Sequence, residues 1–266
     1  KLKNVFIYKV PIITRGNSNL IRRILNYLSF IISAIFFGFI KLRKKQIDHI
    51  MVYAPSPVVH SFVGIFFKKI KGAKLSIWLQ DLLPQTLDLI FKTKKKYIYH
   101  LLYQAINYIY KSCDIIFVQS SEYKKIIKKI VNQKKIFYLP NSRNFIIKKH
   151  SKKHSKNFNK KKFNICYFWN IGIAQEFRTI LEVAEKLKKN KDINFHFFGE
   201  GFKKKDILKI IEQKKLNNFF LHNSIEEKYL DHIVKYSSIL FLSLKKNKFL
   251  NYTSPSKLQF YLASGK

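Results

Sequence analysis

Four short segments put reactive or anion-seeking residue types beside turn-forming ones. In Asp81-Leu82-Leu83-Pro84 a carboxylate follows an apolar run, Ser76–Leu79. Such a carboxylate either takes a proton from an acceptor hydroxyl or caps the next turn, and its position alone favours the cap. In Asn170-Ile171-Gly172-Ile173-Ala174-Gln175 a glycine sits where a strand hands over to a helix. Glycine there permits close backbone approach, and the helix N-terminus offers N–H groups to a phosphate. A single glycine in such a turn is nevertheless common. Gly199-Glu200-Gly201 ends another apolar run, and either admits a base or ribose or is only a tight turn, the turn being favoured. Lastly, Ser254-Pro255-Ser256-Lys257 opens a helix, with a cap and a proline suited to its first turn. The helix dipole disfavours a cation at Lys257. Either an anion binds there, or Lys257 is one more solvated lysine; these two readings stand level.

These segments need elements to hold them. Strand character falls at 5–8, 47–53, 74–79, 115–119 and 136–139, with helical periodicity at 19–40, 58–70, 95–111 and 121–131. After Pro140 a stretch rich in Lys, Asn, Ser and His reads as an exposed linker. Alternation then resumes, with strands at 163–167, 193–198, 218–222 and 238–243 and helices at 175–189, 203–214, 226–236 and 256–264. Strict alternation predicts parallel sheets with helical crossovers. The expected organisation is a first Rossmann-like domain at 1–141, a linker at 142–162 and a second at 163–266. Ligands of open α/β sheets lie beyond the carboxyl ends of the strands, where most of these segments fall.

The 266 residues carry 52 Lys and Arg against 15 Asp and Glu, a formal charge of +37. Only six of the basic residues are Arg. Base-specific recognition leans on the arginine fork, so a dedicated reader of nucleic acid is disfavoured. Attraction to an anionic membrane surface, added to compositional drift, accounts for the charge better. Cys113 and Cys166 sit in or beside apolar runs without metal spacing, and read as buried free thiols. Residues 24–40 are apolar and are followed by Lys41-Leu42-Arg43-Lys44-Lys45. This is the lower edge of spanning length. Strands on either side at crossover spacing favour a buried or membrane-resting helix of the first domain. The chain begins without Met and stops just past a helix-like run, so both ends read as cuts in a longer protein.

Taken in order, Asp-Leu-x-Pro at 81–84, Leu-Pro-Asn at 139–141, Asn-Ile-Gly-x-x-Gln at 170–175, Gly-Glu-Gly at 199–201 and Pro-Ser-Lys-Leu-x-x-Tyr-Leu-Ala-x-Gly-Lys at 255–266 resemble the GT-B glycosyltransferases of family four. The resemblance is above all to the branch that builds O-antigen, capsule and colanic-acid-like exopolysaccharides. It covers nearly the whole chain, and the 170–175 and 255–266 blocks are its specific parts. It implies two Rossmann-like domains facing a cleft, both incomplete here, and a retaining transfer from a UDP- or GDP-linked sugar without metal or other cofactor. Asn170, Gly172 and Gln175 would lie near the diphosphate and sugar, Gly199, Glu200 and Gly201 near the base, and Pro255, Ser256 and Lys257 at the diphosphate. Asp81, with Ser56, Pro57 and Pro84, would face a lipid-linked or polysaccharide acceptor. The setting implied is the inner face of a bacterial cytoplasmic membrane, in surface-glycan or lipopolysaccharide synthesis.

Four positions depart from the pattern. Trp169 stands where relatives carry Gly, Tyr252 and Phe260 where they carry a Glu pair, and Gln80 where they carry His. These leave the donor open. A nucleotide-sugar epimerase of similar build, or a non-enzymatic polyanion binder, are the competing readings. Acid–base carboxylates and histidines are sparse near the strand ends, and the aromatics fall in periodic core runs, so neither gains much support.

Overall fold

Apolar runs become parallel strands here; those at residues 74–79, 163–168 and 193–198 are largely buried on both faces, while Met51, Tyr53, Phe137 and Tyr138 stay exposed. The computed structural model describes residues 4–14, 20–54, 58–82, 96–142, 158–247 and 250–266. Two units result, Lys1–Pro140 and Asn141–Lys266.

In the first unit, α1 (Leu20–Leu42) precedes β1 (His49–Ala54), and a 3₁₀ turn at Val58–His60 leads into α2 (Ser61–Lys71). There follow β2 (Lys74–Leu79), α3 (Lys96–Ser112), β3 (Ile115–Val118), α4 (Ser121–Ile127) and β4 (Ile136–Tyr138). All pairings are parallel, in the order β1-β2-β3-β4. Leu75, Ile77, Leu79, Ile116 and Val118 are fully buried and form the centre of the core. Gly72, left-handed at φ 66°, caps α2 and turns the chain directly into β2. Asp114 holds that junction, accepting from Leu75 N at 2.8 Å and pairing with Lys68 of α2 at 2.8 Å.

One expectation fails in this unit. Residues 5–8 are not a strand; Phe6 and Ile7 are 73% and 81% exposed. The segment is instead tied to α1, where Asn26 Nδ2 donates to Ile13 O at 2.6 Å and Ile13 N donates to Ser29 Oγ at 3.0 Å. Of the two forms expected for α1, buried or membrane-resting, the buried one does not hold: one face meets the domain and the rest lies open.

The second unit runs β5 (Phe163–Phe168), α5 (Arg178–Lys186), β6 (Ile193–Phe198), α6 (Lys204–Gln213), β7 (Phe219–His222), α7 (Glu227–Lys235), β8 (Ile239–Leu240) and, after a 3₁₀ turn at Leu250–Tyr252, α8 (Ser256–Ala263). Its parallel order is β7-β6-β5-β8. Successive β5 side chains point to opposite faces. Tyr167 joins Phe177, Ile180, Leu181 and Phe197 on one side; Cys166 and Phe168 join Leu230, Ile233, Phe260 and Tyr261 on the other. Phe158, within the expected linker, is buried in this second core, its ring 4.9 Å from that of His196. Both thiols are buried and free, and burial pushes each up to about 12. The helix expected from Gln175 begins only at Arg178, because Gln175 folds back into the preceding loop.

The strand order sets the position of a site. From β5 the chain moves out through β6 and β7, then returns to β5's other flank at β8. Such a reversal opens a crevice beyond the strand ends, where ligands of open α/β sheets bind.

Candidate functional site

Beyond β5 the backbone does not part from its neighbours. Trp169 N donates to Phe198 O and Ile171 N to Glu200 O, both at 2.8 Å, and Lys203 N returns to Ile171 O at 3.0 Å. The loops after β5 and β6 therefore run side by side. That closeness explains the two glycines of Gly199-Glu200-Gly201. A Cβ at Gly199 would lie 1.7 Å from Trp169 O, and one at Gly201, whose φ is +152°, 2.3 Å from Ile171 O. The space at both is filled by backbone, so these glycines serve the contact between loops. The side chain of Glu200 is exposed and pairs with Lys204 at 2.6 Å.

Gly172 is buried in the turn that follows. Its N–H donates to Gln175 Oε1 at 2.9 Å, and an added Cβ would meet Asn170 Nδ2 at 2.6 Å. Asn170 and Gln175 thus close around one glycine, with Gln175 occupying the N–H that an anion would otherwise engage. The loop after β8 joins from the far side, where Lys245 N donates to Ala174 O at 3.0 Å.

The third arm is α8. Pro255 is its N-cap residue rather than its first helical residue, and makes no side-chain cap bond. Ser256 is exposed at the helix start. Aromatic contacts fix the helix: Tyr261 Oη accepts from Phe168 N at 3.2 Å, and the Trp169 ring lies 5.0 Å from that of Phe260, edge-on, and 6.0 Å from that of Tyr261, stacked. Trp169 holds a left-handed φ of 73°. A glycine is the natural residue at such a φ, so the tryptophan is a costly choice offset by its packing on α8. Two of the departures from the family pattern, Trp169 and Phe260, thus touch each other.

Held this way, α8 sends Lys257 back over β5. Its Nζ donates to Tyr167 Oη, lies 3.4 Å from Asn170 O and sits 4.0 Å from the centre of the Tyr167 ring. The Tyr167 hydroxyl in turn donates to Asn170 O at 2.5 Å. Lys257 is therefore not one more solvated lysine. Burial lowers its ammonium from 10.5 to about 8, while burial first and Tyr261 second raise the Tyr167 phenol above its ordinary value. A desolvated cation, an exposed amide side chain on Asn170 and the start of a helix share one end of the sheet: an arrangement that can hold an anion.

Residues 170–175, 199–201 and 255–257 meet at this end. The contacts of Tyr167 and Tyr261 escape a reading of the sequence, although Tyr261 belongs to the 255–266 block, since each sits inside an apolar run whose period explains it as core. Asp81 belongs to the first unit, just beyond β2. Burial raises its carboxyl from 3.8 to about 6. The adjoining Gln80 carbonyl accepts from Gln119 Nε2 and, at 3.5 Å, from the Tyr123 hydroxyl, which fixes the backbone there. Ser56, Pro57 and Pro84 fall outside the described residues, as does the turn that Asp81 was expected to cap. Among the described residues no group of three or more His, Cys, Asp or Glu is placed to hold a metal ion.

No family model and no curated protein matches the chain. Solved structures do. The pneumococcal O-GlcNAc transferase GtfA, in complex with UDP and GlcNAc, superposes with a TM-score of 0.57 at 14% identity, over 88% of this chain and 43% of its own. The lipopolysaccharide outer core galactosyltransferase WaaB gives 0.53 at 13% identity, over 91% of this chain and 60% of its own. A UDP-N-acetylglucosamine 2-epimerase gives 0.50 at 10% identity, over 80% and 55%. At such identities the similarity establishes the fold: an α/β chain with two parallel sheets, as in GT-B glycosyltransferases. The chain spans less than two thirds of the length of each of these three structures.

Proposed function

We propose that this chain is part of a glycosyltransferase that moves a sugar from a nucleotide diphosphate to an acceptor. The observation that carries the reading is the placing of Lys257. A first-turn lysine with an ammonium lowered to about 8 is stacked on Tyr167 beside the Asn170–Gln175 turn, at the sheet's reversal point. Departure of a nucleoside diphosphate concentrates negative charge on the leaving oxygens. Preorganised cations and helix N-termini in a desolvated site stabilise such charge strongly. On this reading Lys257 and the start of α8 meet the diphosphate, Asn170 and Gln175 the transferred sugar, and the departing phosphate takes the acceptor's proton on the attacked face, retaining configuration. No metal is required on this reading, and UDP and GDP are the donors of choice.

Asp81, with a carboxyl raised to about 6, is the acceptor-side group. The acceptor is a lipid-linked glycan of the bacterial surface, such as a lipopolysaccharide or exopolysaccharide precursor, met at the inner face of the cytoplasmic membrane. GtfA and WaaB, transferases by name, support the transferase over the epimerase, which superposes less well. Incubating the intact protein with radiolabelled UDP- and GDP-sugars and a bacterial lipid extract tests the proposal. Label in the lipid fraction, absent with Lys257→Met, supports it. Interconversion of the free nucleotide sugar without an acceptor means an epimerase.

A further inference from the structure

Helix α1 carries two apolar stripes, and the domain uses one. Tyr27 and Phe30 pack on His60, with ring centres at 5.7 and 4.6 Å, and Gly38 lies so close to Phe67 that a Cβ there would come within 2.7 Å of the ring. The opposite stripe, Ile21, Leu25, Leu28, Ile32, Phe36 and Phe39, follows the i+3/i+4 spacing of a single helix face and is 43–67% exposed throughout. A ridge of this kind on a monomer is unusual and marks an interaction site. The segment before α1 widens it. Ile13 is fixed to Asn26 and Ser29 near the helix start, and Lys45 beyond the helix end holds Tyr8 Oη at 3.3 Å and covers Phe6 at 4.7 Å. Residues 6–13 thus run antiparallel to α1 and add exposed Phe6, Ile7 and Ile12 to the surface.

Charge identifies what covers this ridge. Between Ile24 and Ile40 there is no charged side chain, while Lys41, Arg43 and Lys44 stand exposed immediately after. A second copy of a chain at +37 would meet its own charge, whereas an anionic bilayer supplies both an apolar interior and counter-charges at its surface. Length alone would let the helix cross the bilayer. Its packing argues otherwise. The contacts from Tyr27 to Gly38 extend over about 16 Å of helix, so α1 cannot cross without leaving its domain.

The geometry points to α1 as an in-plane membrane anchor, its Ile32–Phe36 face sunk in one leaflet of an anionic bilayer and its Tyr27–Gly38 face kept on the first unit. This deepens the membrane side of the proposed function but depends on α1 alone, so it can fail or stand separately from nucleotide binding.

Co-sedimentation of the intact protein with phosphatidylcholine vesicles, with and without phosphatidylglycerol, gives the first test. Binding is expected only when the anionic lipid is present. Replacing Lys41, Arg43 and Lys44 with Gln, changes confined to exposed side chains, should weaken it about five-fold per charge removed. The Ile32→Asp/Phe36→Asp variant should lose roughly ten-fold or more in binding with its circular dichroism and melting temperature unchanged. In inverted inner-membrane vesicles from an expressing bacterium, Arg23→Cys and Lys44→Cys should both react with a membrane-impermeant maleimide. Labelling at one end only would make α1 a spanning helix and overturn the proposal. So would undiminished binding by both variants, equal binding to neutral vesicles, or a dimer in solution that the Asp variant splits.

Discussion

Replacing Lys257 with methionine keeps an unbranched apolar stem and removes the charge, and its effects on ligand and fold should oppose each other. In the free protein the ammonium titrates at about 8, because burial beside Tyr167 disfavours the charged form. A bound diphosphate favours the charged form and raises that value. Nucleotide affinity should therefore be level below pH 8 and fall about ten-fold between pH 7 and 9, near 1.4 kcal/mol. Loss of a charge-assisted hydrogen bond to phosphate is worth about 1.5–3 kcal/mol, so Lys257→Met should weaken UDP or GDP by roughly 10- to 150-fold and abolish the pH dependence. Stability should move the other way. The unfolded chain binds this proton up to 10.5 and the folded chain only to about 8, so burying Lys257 costs stability at all pH below 8, and the cost fades between 8 and 10.5. After discounting for partial exposure, the variant should gain about 1–3 kcal/mol at pH 7. Calorimetric titration with UDP and GDP at pH 7, 8 and 9, with urea unfolding alongside, measures both. An unchanged affinity, or the same pH slope in the variant, would refute the reasoning.

Three further expectations concern other parts of the molecule. His196 and His222, stacked with Nδ1 and Nε2 3.0 Å apart, are held neutral by burial and sit at about 3 and about 4. The unfolded chain takes up these protons below about 6.5, so urea-unfolding stability should fall as pH drops from 6.5 toward 4, by about 2 kcal/mol per ring at pH 5, and a His196→Phe/His222→Phe variant should flatten that fall. Gly199→Ala must displace the backbone at Trp169, 1.7 Å from the new Cβ. It should cost roughly 3 kcal/mol or more and remove thermal stabilisation by nucleotide, read by differential scanning fluorimetry. In the proposed mechanism ionised Asp81 accepts a hydrogen bond that orients the acceptor hydroxyl while the departing phosphate takes its proton, so transfer should rise with pH through about 6 to a plateau, and Asp81→Asn should abolish this limb in a pH–rate profile while leaving nucleotide affinity intact.

Periodicity exposed most of the architecture. Strands such as Lys74–Leu79 and Ile193–Phe198 fall where the sequence places them, since their apolar residues on both faces outweigh the buried Ser76, Asn194 and His196 among them. Residues 5–8 carry the same composition without a strand, because strand identity depends on a partner and that segment binds α1 instead. The open face of α1 was equally hidden: two apolar stripes look identical in sequence, and only the packing of Phe67 and His60 shows which one is spent. Within the site, glycine and proline marked the turns, and the first-turn position of Lys257 marked it as anomalous. What sequence could not convey is that Trp169 and Phe260, ninety-one residues apart, compensate each other, or that Tyr167 uses its ring for the core and its hydroxyl for Lys257. Those are contacts between elements, fixed by sheet order rather than by local pattern.

A structure of the intact protein with UDP or GDP bound tests the account most directly. The diphosphate should lie against the start of α8, within hydrogen-bonding distance of Lys257 Nζ, with Gln175 released from Gly172 N. A nucleotide seated elsewhere on the second unit, with Lys257 still resting on Tyr167, would contradict it.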